Sequence, residues 1–373
     1  MEQNSEYRIC TRCIMDTSDP WITFDEQGVC NHCREYDKIV DNYLFVKNDG
    51  EKRLQEIADE INRTSKGNKF NCIVGLSGGV DSSYLTYKAV QLGLRPLVVH
   101  VDCGWNSEIA VKNIENICKA LNLDLFTHVV NWEEMKDLQR SFFLANVANQ
   151  DIPQDHAIFS GLYHYALKNN IKYVLNGSNF ASESVLPRAW GYNALDYRHI
   201  RGIQKKFGKI KLKTYPHLTF FRRYIYFSFI RRINIVRVLN YIHYDREEAI
   251  KTMEKELGWR YYGGKHHESR FTKFFQAYYL PVKFGYDKRR AHYSSLILAG
   301  QENRESALAA MNEKSYKDNE IGEDLDYIAK KLDWTPEEFN AIIHQPNKTY
   351  KDYPSNEWIF NLGFKIRKKL FGK

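Results

Sequence analysis

Residues 70–83, FNCIVGLSGGVDSS, carry an apolar strand into a glycine turn and out into a helix, and this stretch constrains the fold most tightly. A short, nearly continuous apolar strand is buried on both faces, as strands inside a parallel sheet are. The pattern then repeats. DSSYLTYKAVQLG reads as a helix closed at Gly93, PLVVHVD as a second strand and SEIAVKNIENICKAL as a helix. LFTHVVN reads as a third buried strand, WEEMKDLQRSFFLANV and DHAIFSGLYHYALKNN as helices, and IKYVLNGSN as a fourth strand. Such alternation predicts an α/β fold built on a doubly wound parallel sheet. Ligands of such sheets bind beyond the carboxyl ends of the strands.

The chain divides by character. Residues 1–50 are Cys-rich, 51–196 hold the strand–helix alternation, 197–244 form a basic aromatic insertion, and 245–373 read as largely helical and are expected to contribute to the substrate site. Thr335, Pro336 and Glu338 are spaced as a capping box with proline at the first helical position. From Tyr197 to Tyr244 there are 12 Lys/Arg, no acids and 11 Tyr/Phe, so a chain of net charge +8 nets −4 elsewhere. The charge excess is therefore local. No uncharged apolar run approaches the length of a membrane span. The opening MEQNSEYRICTRC lacks the basic-then-apolar order of a secretory signal. A cytoplasmic location is expected.

Cys10-x2-Cys13 and Cys30-x2-Cys33 lie 16 residues apart. Each turn presents two thiolates to one side, and two turns complete a tetrahedron around Zn²⁺, leaving no open position for catalysis. A structural zinc knuckle is the expectation. The same quartet also suits a four-thiolate iron–sulfur cluster. Cys72, in a core strand, and Cys118, on a helix, read as packing residues.

Ser77, Gly78, Gly79, Val80, Asp81, Ser82 and Ser83 form the glycine turn. Its glycines let the backbone approach an anion, and the N–H groups of the turn and of the following helix point at it. Ser77, Ser82 and Ser83 add hydroxyls. The lysine of GxxxxGK[ST] is missing, so this is not a Walker A loop. Asp81 suggests a Mg²⁺ between the loop and the phosphates.

SGGVDSS after an apolar strand resembles the pyrophosphate loop of the PP-loop ATP pyrophosphatases. Further segments are similar to one branch of them, the N-acetyl sugar amidotransferases of bacterial surface polysaccharide, O-antigen and flagellin glycan synthesis. They are CTRCIMDTSDPWITFDEQGVCNHC, HVDCGWNSEIAVKNI, LNGSNFASES and FGYDKRRAHYSSLILAGQ. The resemblance implies an adenine nucleotide alpha hydrolase-like fold that uses ATP and Mg²⁺. It places Ser77, Gly78, Gly79, Asp81, Ser82 and Ser83 on pyrophosphate, Asp102 near the adenosine and Gly177 on the same rim. Lys288 and Arg289 would neutralise phosphate charge and, with Asp81, serve catalysis. Asp102 also reads as a helix-initiating loop acid, and Lys288 and Arg289 as a solvated helix face.

The implied reaction adenylates the acetamido oxygen of a nucleotide-linked diacetamido sugar or uronic acid. Ammonia then displaces AMP to leave an acetamidine. Cys103, beside Asp102, is a lone cysteine that this chemistry does not require. No glutaminase nucleophile is present, so the resemblance implies a separate glutaminase subunit with a cyclase-like barrel that conducts ammonia. The rival reading is a tRNA-modifying PP-loop enzyme, with residues 197–244 tracking a nucleic-acid backbone; no second CxxC pair near the C-terminus supports it, and nucleic acid is not the expected partner. A non-catalytic scaffold is the plainer alternative. The basic block also suits sugar-nucleotide binding, partner docking or a peripheral membrane contact, and NEWIFNLGFKIRKKLFGK reads as an interfacial anchor or a docked helix.

Overall fold

β1 (Cys72–Gly75), β2 (Pro96–Asp102), β3 (Leu125–Val129), β4 (Tyr173–Asn176) and β5 (Asn234–Arg237) form one sheet in the order β3-β2-β1-β4-β5. Every neighbouring pair is parallel, with Ile73 opposite Leu97 on one side and Val174 on the other. This is a computed structural model, and it describes residues 6–45, 49–263, 268–314, 316 and 318–362. The tail from residue 363 onward, including most of the expected anchor, lies outside the described residues.

In chain order the helices begin with α1 (Asn31–Ile39), α2 (Gly50–Thr64), α3 (Val80–Gln91), α4 (Glu108–Ala120), α5 (Trp132–Leu144), α6 (Ile152–Lys168), α7 (Phe180–Glu183) and α8 (Tyr197–Phe207). They continue with α9 (Arg246–Leu257), α10 (Arg270–Phe274), α11 (Leu280–Phe284), α12 (Lys288–Ala299), α13 (Arg304–Met311), α14 (Asp318–Lys331) and α15 (Pro336–Ile343). A wide helical turn, Phe275–Tyr279, joins α10 to α11.

Alternate residues of the strands feed two cores, because successive side chains point to opposite faces. Ile73, Leu97, Val99 and Val174 pack with Leu138, Phe142, Phe271, Phe274 and Phe339 from α5, α10 and α15. Cys72, Val74, Val98 and Leu175 pack with Leu54, Leu85, Ile117 and Met253 from α2, α3, α4 and α9. Helices thus cover both faces, as expected of a doubly wound sheet. The third strand departs from the expected burial: Leu125, Phe126 and Val129 are exposed. β3 is an edge strand, bonded only to β2, so fewer neighbours cover it.

Residues 197–244 are woven into the domain rather than appended to it. They supply β5, an edge strand paired through Tyr173–Asn234 to Asn176–Arg237. Their backbone is pinned by two acids of α5. Glu134 accepts the N–H groups of Lys213, Thr214 and Tyr215, and Asp137 those of Lys209 and Ile210. Burial would raise the Glu134 carboxyl, but the backbone donors hold it below its ordinary value.

Candidate active site

β1 ends at Gly75 and its chain leaves toward β2, whereas β4 leaves toward β5 on the other side. The two connections separate above the sheet and open a crevice at the switch in strand order. A cavity of about 310 Å³ sits there, lined by Ser77, Gly79, Asp81, Ser82, Asn176 and Gly177 together with Glu183, Arg246, Tyr262 and Glu268.

Gly78 has φ +81°, and a Cβ there would lie 2.4 Å from the carbonyl oxygen of Ala110. Only glycine meets both demands. At Gly79 a Cβ would fall 2.7 Å from Oε1 of Glu268, a contact that the flexible end of that side chain can relieve. Trp259 donates its indole N–H to the Gly78 carbonyl at 3.0 Å and anchors the turn from behind. The donors of the turn are held by neutral hydroxyls: Val80 N–H by Tyr262 at 3.0 Å, Gly79 N–H by Ser77 at 3.2 Å. Ser77 N–H bonds the Ser82 hydroxyl at 3.2 Å. An anion arriving at the loop exchanges weak partners for charge-assisted ones.

Asp81 sits in the first turn of α3, and its Oδ1 accepts the O–H of Tyr244. Burial, then the Asp81 carboxylate, push the Tyr244 phenol well above its ordinary value, so it stays a donor. Gly177 lies over the Asp81–Ser82 peptide, where a Cβ would come within 3.3 Å. Arg246 is the cation among the lining residues, and its Nη2 has no hydrogen-bond partner among the described residues.

Several expected residues lie elsewhere. Ser83 is fully buried and does not line the cavity. Asp102, at the end of β2, accepts from Gly104 N–H at 2.8 Å and Asn106 at 3.0 Å. Asn106 also bonds His100, whose other ring nitrogen holds the Leu76 carbonyl at 2.9 Å, which ties Asp102 to the base of the loop. Arg289 is committed to Asp287 at 2.7 Å and to the Glu313 carbonyl at 2.8 Å. Lys288 lines a second cavity. Cys103 is buried, and burial pushes its thiol up, which leaves it un-ionised and inert. Among the described residues the cation that lines the loop cavity is therefore Arg246; Lys288 and Arg289 do not line it. Tyr244 ends the basic block and Arg246 opens α9 just beyond it, and neither stands in a recognisable spacing in the sequence. Glu183 stood in plain sight within LNGSNFASES.

The four thiols come together as expected. Cys10–Cys33 and Cys13–Cys30 are 3.7 Å apart and Cys30–Cys33 3.6 Å, all four buried. A tetrahedron with metal–sulfur bonds of about 2.3 Å has edges of about 3.8 Å, so the quartet fits Zn²⁺. The knuckle is fastened to the C-terminal helices. Arg304 donates to the carbonyls of Cys10 and Cys13, both at 2.9 Å, Ile14 N–H bonds Ser294, and Arg290 pairs with Asp16 at 3.0 Å.

Among solved structures the chain is similar to NMN synthetase from Francisella tularensis, with a TM-score of 0.29, 19% identity, and coverage of 36% of this chain and 56% of that one. It is also similar to the NH3-dependent NAD synthetase of Campylobacter jejuni, at 0.30 and 18% identity over 71% and 97% of the two chains. The NAD+ synthetase of Burkholderia pseudomallei gives 0.29 and 16% over 60% and 95%. By sequence the chain is 29% identical over 119 residues to an uncharacterized protein of Methanocaldococcus jannaschii, MJ1599. That match takes in 31% of this chain and spans only 40% of the length of the relative. Residues 268–367, which carry Glu268 and α10 to α15, match the C-terminal domain of WbpG-like LPS biosynthesis proteins.

Proposed function

We propose that this chain is an ATP-dependent sugar amidotransferase of LPS biosynthesis. It adenylates the acetamido oxygen of a nucleotide-linked diacetamido sugar or uronic acid and replaces that oxygen with ammonia-derived nitrogen. The observation that carries the ATP reading is the loop cavity, where Ser77–Ser82, Asp81 and the unpaired Nη2 of Arg246 converge at the switch in strand order. The match of residues 268–367 to an LPS biosynthesis domain supports the sugar.

The loop would bind the departing pyrophosphate through the N–H groups of α3's first turn, aided by the helix dipole. Arg246 would neutralise the phosphates. Asp81 and Glu183 are the carboxylates that would hold Mg²⁺, which supplies charge neutralisation when bound. Tyr244 would orient Asp81. The acetamido oxygen attacks the α-phosphorus and pyrophosphate leaves; ammonia then adds to the imidate carbon and AMP departs with the former amide oxygen. The protein's task is positioning and electrostatics, without a covalent cysteine.

Ammonia would come from a separate glutaminase subunit through a cyclase-like barrel. The exposed face of residues 221–232 is the proposed dock, because Phe221, Phe229 and Ile230 are more than half exposed beside exposed Arg222 and Arg232. Arg222→Glu combined with Arg232→Glu should abolish glutamine-dependent turnover and keep ammonium-dependent turnover. Binding of this face to anionic vesicles, with glutamine use unchanged by the substitutions, would assign it to a membrane instead.

The deciding assay combines the chain with ATP, ammonium and acetamido sugar nucleotides. AMP and a product one mass unit lighter are expected, since carbonyl oxygen becomes imine NH. ADP as the nucleotide product, or preference for tRNA with a sulfur donor, would overturn the reading.

A further inference from the structure

A second cavity, of about 430 Å³, opens beside the first and takes no part in the loop chemistry described above. Its wall is the segment from Leu186 to Asn193, closed by α12 and by Tyr350 and Glu357. Its size is that of a small-molecule site. Four features mark it as built for an anionic, hydroxyl-bearing ligand.

Lys288 is half-buried, with its ammonium 5.8 Å from the centre of the Phe275 ring. It makes no hydrogen bond or ion pair with any described residue. Its charge neighbour is the carboxyl of Asp155, which it does not bond, so the ammonium keeps its hydrogen-bond donors for a ligand anion. Arg188, exposed at the rim, likewise bonds no described residue. Trp190 is 4% exposed, and its indole N–H has no acceptor among the described residues. Finally, Tyr192 and Tyr350 stack with ring centres 4.4 Å apart, and Tyr350 donates to Glu357 at 2.6 Å. The lining therefore offers cations for phosphate, and a carboxylate and ring faces for hydroxyls and a sugar ring.

Its position matters as much as its lining. Glu183 lines the loop cavity and Leu186 the second one, three positions along the same segment. Three residues span at most roughly 11 Å. The segment is held rigidly, since Val185 N–H bonds Ser295 of α12 at 2.9 Å and His292 of α12 bonds the Ser182 carbonyl at 3.1 Å.

We infer that the second cavity is the acceptor site, binding a nucleotide-linked acetamido sugar with its diphosphate at Lys288 and Arg188 and its sugar directed toward the loop cavity. The inference rests on the amidotransferase reading given above, whose substrate it locates.

The test is calorimetric titration of the full chain with UDP-N-acetylglucosamine and, separately, with a non-hydrolysable ATP analogue. Lys288→Met keeps the aliphatic stem, and Arg188→Ala alters an exposed side chain, so both should fold. Lys288→Met should weaken the sugar nucleotide about tenfold or more and Arg188→Ala several-fold, as lost charged contacts do. The ATP analogue should bind both variants as it binds the wild type. Asp81→Asn should leave the sugar nucleotide affinity unchanged. Unaltered sugar-nucleotide binding in both cavity variants would place the acceptor elsewhere and overturn the inference while leaving the amidotransferase reading intact. Loss of the ATP analogue with Lys288→Met, or no saturable binding of the sugar nucleotide to the wild type, would also overturn it. The reading itself fails on a different result, the absence of AMP with every acetamido sugar nucleotide.

Discussion

Tyr244 donates its phenolic O–H to Oδ1 of Asp81, joining residues 163 positions apart. Asp81 belongs to the glycine turn after β1, and Tyr244 closes the basic aromatic block just beyond β5. The chain beyond the edge strand thereby reaches back to the centre of the sheet, and the last residue of the basic block holds a carboxylate that lines the loop cavity.

Tyr244→Phe removes that donor without emptying the ring's site in the core. A hydrogen bond to a charged group contributes about 1.5–3 kcal/mol, so kcat/KM for AMP formation should drop roughly tenfold to a hundredfold. The melting temperature should change little by comparison. Asp81→Asn should abolish AMP formation with the fold intact. Wild-type rates in Asp81→Asn would remove Asp81 from the mechanism, and wild-type rates in Tyr244→Phe would remove the orienting role of Tyr244.

Metal analysis of the purified chain should find one zinc. Cys13→Ser should lower zinc content and melting temperature together, because the site's binding energy is folding energy. The Arg304 contacts to the Cys10 and Cys13 carbonyls make α13 depend on the knuckle, and the Arg290 and Ser294 contacts do the same for α12. Chelation should therefore also weaken sugar-nucleotide binding at the Lys288 cavity. A melting curve indifferent to chelation would show that the quartet is not a structural metal site.

Gly78→Ala meets a left-handed backbone and the Ala110 carbonyl at once. A loss of about 1–3 kcal/mol is expected from the strain alone, with more from the collision. Denaturant midpoints of the variant and the wild type measure it. An ATP analogue should bind the variant more weakly, because the turn must shift away from α4.

Stability should fall in acid. Burial holds His156 down to about 4, with Nδ1 against the Ala194 carbonyl at 2.7 Å and Nε2 accepting the Leu218 N–H at 3.1 Å. Neighbouring His217 lowers it further, and Asp196 opposes. His199, also buried, is likewise held at about 4. Unfolded histidine titrates near about 6.5, so below that pH the unfolded state takes up protons that the folded state refuses. The contribution of these histidines is full above about pH 6.5 and shrinks toward pH 4, by about 1.4 kcal/mol per unit for each. Asp155 works the other way, since burial and Asp151 push it up to about 7, but it is one group against two. Urea midpoints that stay level or rise between neutral pH and pH 4.5 would contradict the assignment.

Residues 72–83 and the four knuckle cysteines are legible in the sequence because their information is local. An apolar strand followed at once by SGGVDSS allows few arrangements, since Gly78 needs a left-handed backbone and the strand needs burial on both sides. Two CxxC turns likewise bring their own geometry. Four of the five strands announced themselves by continuous apolar character. β5 did not, because Asn234, Ile235 and Arg237 are exposed at the sheet edge and NIVR has no apolar run to betray it.

What only the tertiary structure decided was convergence. Arg246 rather than Lys288 or Arg289 faces the loop, Tyr244 meets Asp81, and Lys288 is left beside a separate cavity. Sequence periodicity says which face of an element turns inward. It does not say which elements face each other, because that depends on how whole surfaces pack, and the side chains that meet are then set by strand order and helix placement across more than a hundred residues.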